Sequence, residues 1–255
     1  MRIVRFQTEK DKIEYGWVRE ELVGKIEGDP YGEFLRIESD IPLQDVKLLA
    51  PVTPSKIVCV GRNYAAHADE QDAVVPEVPL LFLKPPSSII GPGETIYLPP
   101  QSQHVEHEAE LAVVIGTQSR WLSPDDAMDA VLGYTIANDV TARDLQRQDA
   151  QWTRGKGFDT FCPVGPWIST TFEPAEALIT CHVNDELRQM GSTRDMVFTI
   201  RQLLPYITSV MTLMPGDLIL TGTPSGVSQL NAEDSVAITI EGLGDLANNV
   251  AVSPN

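Results

Sequence analysis

Cysteine is scarce in this chain of 255 residues: Cys59, Cys162 and Cys181 are odd in number and show no C-x-x-C spacing. A disulfide framework or a zinc knuckle needs paired or closely spaced thiols, so neither is expected. Basic residues are also short, with 19 Lys and Arg against 36 Asp and Glu, giving a formal net charge of −17. Nucleic acid and anionic membranes attract basic surfaces, so both are disfavoured as partners, and any anionic substrate must be held by local cations. No apolar run approaches membrane-spanning length, and the opening M-R-I-V-R-F-Q-T-E-K lacks the apolar stretch of a secretion signal. A soluble, cytoplasmic protein is the expectation. Of the few histidines, His104, His107 and His182 have no triad-like partners in sequence. The odd separation of His104 and His107 would put them on opposite faces of a strand, which weakens a zinc reading.

What is present is ordinary for a globular protein. Hydrophobic residues make up 42% and charged residues 22%, a balance that buries a sizeable core and argues against disorder. Short β-like runs at Arg2–Gln7, Ile13–Val18 and Leu22–Ile26, with E-G-D-P-Y-G as a turn, suggest a small N-terminal β domain over residues 1–50. Pro51-Val-Thr-Pro54 breaks the pattern, and a main domain over 51–255 begins with the apolar strand Lys56–Val60. Further strands are expected at Leu80–Leu83, Glu106–Ile115, Gly133–Val140, Ala177–Val183, Leu218–Leu220 and Ser235–Ile240. Helices are expected to open at Ser123-Pro-Asp-Asp126 and to run from Ile200 to Met211. Strands outnumber helices and are irregularly spaced, which predicts a mostly β, α+β fold and not repeated βαβ units.

The segment E-H-E-A-E-L-A-V-V-I places Glu106, Glu108 and Glu110 on one face of a strand with Ala112 and Val114. Neighbouring carboxylates on that face lie roughly 7 Å apart. Either a hard divalent cation such as Mg²⁺, Mn²⁺ or Ca²⁺ neutralises them, or the strand end is a solvated edge. Asp139 ends the run G-Y-T-I-A-N-D and reads as a ligand or as the N-cap of V-T-A-R-D-L-Q. If residues 64–70 are helical, His67 and Glu70 share a face, as a base and its orienter or as part of a surface helix.

Four ordered strings, H-E-A-E-L-A-V-V-I-G (107–116), G-Y-T-I-A-N-D-V-T-A-R-D-L-Q (133–146), K-G-F-D-T-F-C-P-V-G-P (156–166) and P-G-D-L-I-L-T-G-T-P-S-G-V (215–227), strongly resemble the fumarylacetoacetate hydrolase family. The resemblance implies a mixed β-sandwich roll, a homodimer, and Mg²⁺ or a similar divalent ion held by Glu108, Glu110 and Asp139, with Glu106 behind these ligands or at the surface. It implies further that His67, oriented by Glu70, is the base on a segment that orders over the substrate, and that Lys156 reaches a small 2-oxo acid. Gly157 stands where many relatives carry Ser. Arg62, Tyr64, Lys84, Arg143, Gln146 and Thr223 are the implied substrate contacts. The activity implied is C–C bond hydrolysis or decarboxylation of a 2-oxo or β-diketo acid. An isomerase or tautomerase of the carboxymethyl-hydroxymuconate or oxaloacetate type is the alternative, and a metal- or keto-acid-binding protein is the non-enzymatic one.

Overall fold

The computed structural model describes residues 1–8 and 12–254, and the fold is mostly β. The largest sheet runs in the order Phe34–Pro42, Leu22–Gly28, Ile13–Arg19, Arg2–Gln7, Cys162–Ser169, Val131–Asn138, Ala109–Ile115, Leu218–Leu220, Ile57–Gly61, Leu80–Lys84. A second sheet orders Glu186–Ser192, Leu178–Val183, Ser235–Ile240, Gly244–Val252 and Thr95–Leu98. The N-terminal strands join the large sheet directly, because Arg2 and Ile3 pair with Ser169 and Ile168.

The central strand Ala109–Ile115 is buried along its whole length. Leu111, Val113 and Ile115 enter the core shared with Ile179, Cys181, Val236 and Ile238 of the second sheet. Ala112 and Val114 enter a different core with Ile57, Cys59, Leu218 and Leu220. A strand covered on both faces reads as a continuous apolar run, which explains L-A-V-V-I.

Four short α-helices complete the described chain: α1 (Ala65–Glu70), α2 (Arg143–Gln148), α3 (Thr153–Lys156) and α4 (Ile200–Val210). Thr199 and Gln202 form a capping box at the start of α4, whose buried Ile200, Leu203, Leu204 and Ile207 follow the helical period.

Two expected elements differ. The helix opening at Ser123 is a turn, in which the Ser123 hydroxyl accepts from Asp126 N at 3.2 Å, followed by a 3₁₀ segment Ala127–Ala130. The expected strand Glu106–Ile115 is broken at His107 and Glu108. Val105–Glu106 pairs with Thr141–Ala142, whereas Ala109–Ile115 pairs with Val131–Asn138. Several strands lacked a sequence signal for physical reasons. Phe34–Pro42 and Glu186–Ser192 are largely exposed sheet edges, and Cys162–Ser169 contains Pro163 and Pro166, which ordinarily argue against a paired strand.

Candidate active site

The break at His107 and Glu108 decides which carboxylates meet. The Asn138 side chain accepts from Glu108 N at 2.9 Å, and Asp139 N donates to Glu108 O at 2.9 Å. These bonds tie the end of one strand to the end of its neighbour and carry Asp139 against Glu108. Glu110 follows two residues on, with Gly222 N donating to its Oε2 at 2.6 Å. One ligand oxygen from each of Glu108, Glu110 and Asp139 can be chosen so that all lie within 4.8 Å of one another, and all three residues are buried. Asp139 caps no helix, since α2 begins at Arg143 after Ala142.

Glu106 does not join the cluster. It is buried, accepting from Arg143 Nε at 2.7 Å and contacting His104 Nε2 at 2.7 Å. The solvated-edge reading of these glutamates is therefore corrected, because the Val105–Glu106 pairing turns the chain inward onto Arg143.

The electrostatics of the cluster are uneven. Burial, together with the Asp139 and Glu108 carboxylates, pushes Glu110 well above the ordinary glutamate range. Burial also works to raise Glu108, but the Lys156 ammonium and Arg143 guanidinium outweigh it and hold Glu108 low. For Lys156 burial works downward, and the Asp139 and Glu108 carboxylates overcome it, so the ammonium is held above its usual value. Lys156 Nζ bridges Glu108 Oε2 at 2.8 Å and Asp139 Oδ2 at 2.7 Å. Three hard oxygen donors, converging where like charge lifts one of them, fit a divalent cation of the Mg²⁺ or Mn²⁺ kind.

The cluster opens into a cavity of about 310 Å³ whose wall includes Arg62, His67, Arg143, Gln146, Lys156 and Thr223. His67 Nδ1 lies 3.2 Å from Glu70 Oε2, and Glu70 Oε1 accepts from Gly226 N at 2.9 Å. One carboxylate thus holds the imidazole and anchors α1 to the loop after Thr223.

Other expected contacts are placed differently. Lys84 lies behind Asp139, donating to Asp139 Oδ1 at 2.6 Å and Val140 O at 3.0 Å, and is off the cavity wall. Tyr64 is also buried away from the wall, and its hydroxyl has no hydrogen-bond partner among the described residues. Arg143 spends its guanidinium on Glu106, Glu108 and Gln146. The Thr223 hydroxyl donates to Ala109 O at 2.9 Å. Phe82, Gln71, Arg147 and Trp152 line the cavity without having been singled out in sequence. A lone Trp in the polar stretch D-A-Q-W-T-R was the one available signal.

Comparison with known proteins fits this geometry. A model of the fumarylacetoacetate hydrolase C-terminal region matches residues 56–251, and one of Rv2993c-like N-terminal regions matches residues 1–51. The chain belongs to the fumarylacetoacetate hydrolase family. Within this family, Protein Rv2993c of Mycobacterium tuberculosis is 48% identical over 93% of this chain and 91% of its own length. Mitochondrial oxaloacetate tautomerase FAHD2A of Homo sapiens is 47% identical over 82% of this chain and 71% of its own. The crystal structure of 2-hydroxyhepta-2,4-diene-1,7-dioate isomerase from Mycobacterium marinum superposes with a TM-score of 0.92 at 43% identity, covering 100% of both chains. Maleylpyruvate hydrolase from Sphingobium sp. SYK-6, solved with manganese(II) and pyruvate, gives a TM-score of 0.82 at 33% identity, again over 100% of both chains. The family fold therefore spans the whole chain, and its members include isomerase, tautomerase and hydrolase.

Proposed function

We propose that this family member is a divalent-metal-dependent enzyme that moves a proton next to the keto group of a small 2-oxo dicarboxylic acid, as an oxaloacetate-type tautomerase does. The observation that carries the reading is the convergence of Glu108, Glu110 and Asp139 in one cavity with His67 and its orienting Glu70. A divalent cation held by the three carboxylates would supply Lewis acidity to the 2-oxo acid group. His67 takes and returns the proton, with Glu70 fixing the ring. Lys156 places a positive charge on the cavity wall where the enolate oxygen would develop. Arg62 and Arg147, also on the wall of this small polar cavity, offer guanidinium groups to a distal carboxylate. The tautomerase and isomerase relatives share 47% and 43% identity with this chain, which supports proton transfer over bond cleavage.

C–C bond hydrolysis, to which the sequence alone leaned together with decarboxylation, is the second reading. It is favoured by the likeness to maleylpyruvate hydrolase and would use the same imidazole to activate water. Either reaction is read within the homodimer that the family resemblance implies, and sedimentation measures that state.

Oxaloacetate and an acylpyruvate, assayed by NMR in deuterated water with Mg²⁺ and after chelation, separate the readings. Metal-dependent deuterium entry at the carbon beside the keto group without fragmentation supports tautomerisation, whereas release of pyruvate and a second acid supports hydrolysis. His67→Ala should lower the rate by roughly 10²–10⁴ in either case. Tight ligand binding with no exchange and no cleavage would make the chain a binding protein.

A further inference from the structure

Gln189 lies in the edge strand Glu186–Ser192 of the second sheet, outside the cavity wall, and is 0% exposed. Its side chain makes four hydrogen bonds. Oε1 accepts from Ala109 N at 3.0 Å and meets His107 Nδ1 at 2.9 Å. Nε2 donates to Pro224 O at 2.7 Å and to Thr223 Oγ1 at 2.7 Å. Ala109 N can only donate and Pro224 O can only accept, so the orientation of the amide is forced. His107 must then donate from Nδ1, and its Nε2 lies 2.9 Å from Ser228 Oγ. Every donor and acceptor of the Gln189 amide is used.

The bonded groups lie on the two segments that build the metal site. His107 and Ala109 flank Glu108, and Ala109 precedes Glu110. Thr223 and Pro224 follow Gly222, whose N–H holds Glu110 Oε2 at 2.6 Å. Thr223 closes the ring by donating to Ala109 O at 2.9 Å.

Resting on the metal-site reading above, we infer that Gln189 is a positioning residue: it staples the Glu108–Glu110 segment to the Gly222–Pro224 loop and so sets the spacing of the carboxylates. Groups that orient ligands from behind change metal affinity by 10- to 100-fold when removed. The amide does this from a sheet that contributes no side chain of its own to the carboxylate cluster.

The test is Mn²⁺ binding by the full chain, measured by calorimetry and by the Mn²⁺ resonance signal, with no substrate present. Gln189→Met keeps the length and apolar bulk and removes all four bonds, so affinity should fall at least about tenfold. Val236→Ala, a buried truncation in the same sheet, should lower the melting temperature while leaving Mn²⁺ affinity within about twofold of wild type. A merely structural role predicts the reverse, an equal loss in both variants or unchanged affinity in Gln189→Met, and either result overturns the proposal. If Gln189→Met does not fold, Thr223→Val carries the test: a several-fold loss supports the staple and an unchanged constant overturns it. Wild-type protein that binds no Mn²⁺ would overturn the metal-site reading itself and this inference with it, an outcome distinct from normal wild-type binding with an indifferent Gln189→Met.

Discussion

Lys84 and Lys156 pair with the same aspartate and do different work. Lys84 holds Asp139 Oδ1 from the buried side, whereas Lys156 holds Oδ2 from the cavity side. Removing the partner of a buried charge is costly, so Lys84→Met should lower the urea-unfolding free energy by about 3–5 kcal/mol. A loss below about 1 kcal/mol would show that Lys156, 2.7 Å from Oδ2, suffices alone to hold the Asp139 carboxylate. Glu110 carries a pH prediction. Its raised native pKa means that, without metal, the folded state binds more protons than the unfolded state as pH rises above the usual glutamate range. Stability from this group is complete below the unfolded glutamate pKa and is lost as pH climbs through the raised value. Metal must displace that proton, so Mn²⁺ binding should release protons and tighten with pH over the same window. Calorimetry in buffers of different ionisation enthalpy reads the release, and heats independent of buffer would contradict it.

At the scale of elements, the segment from α1 to the strand at Leu80 is anchored at its root and looser beyond. Val197 N donates to Asn63 O at 2.8 Å, and Asn63 Nδ2 donates to Thr221 O at 2.7 Å, fixing the chain just before α1. Beyond Gln71, whose Oε1 accepts from Arg147 at 3.2 Å, the chain carries turns and no regular element until Leu80. Amides of residues 74–78 should exchange orders of magnitude faster than those of the buried strand Ile57–Gly61, and an oxalate-like inhibitor should slow them. Uniform slow exchange with no response to inhibitor would make this segment ordinary packed structure. The stretch E-Q-D-A-V-V-P-E-V-P (70–79) carries two prolines among polar residues, a local composition that disfavours regular structure. The anchor was not legible, because Asn63 meets residues more than a hundred positions away.

For the whole molecule, the N-terminal strands and the rest of the chain share one sheet. Arg2–Gln7 covers the edge of Cys162–Ser169, and Ile3, Ala50 and Val52 sit in the core formed with Ile57, Cys59 and Val164. Deleting residues 1–50 would bare the Ile168–Ser169 edge and strip Ile3 and Ala50 from this core, so the remainder should aggregate or expose dye-binding hydrophobic surface instead of folding as a soluble monodisperse protein. A soluble truncation with native melting behaviour would show that the large sheet tolerates its new edge. No helix among the described residues is long and apolar enough to cross a membrane.

Composition, the alternation of E-H-E-A-E and the four ordered strings were local properties, and they sufficed for a mostly β fold, its family and three candidate ligands. Alternation alone could not separate Glu106 from Glu108 and Glu110, since all three obey one strand period; the family resemblance set Glu106 apart, and the pairing of Val105–Glu106 with a different strand is what sends it to Arg143. Lys84 likewise read as a substrate contact until the fold put Asp139 between it and the cavity. Gln189 had no signal at all, because a glutamine in an edge strand is unremarkable until the sheet brings its amide against Ala109 and Pro224. Hydrogen-bond saturation depends on groups dozens of residues apart meeting at 3 Å, and that meeting exists only in the folded chain.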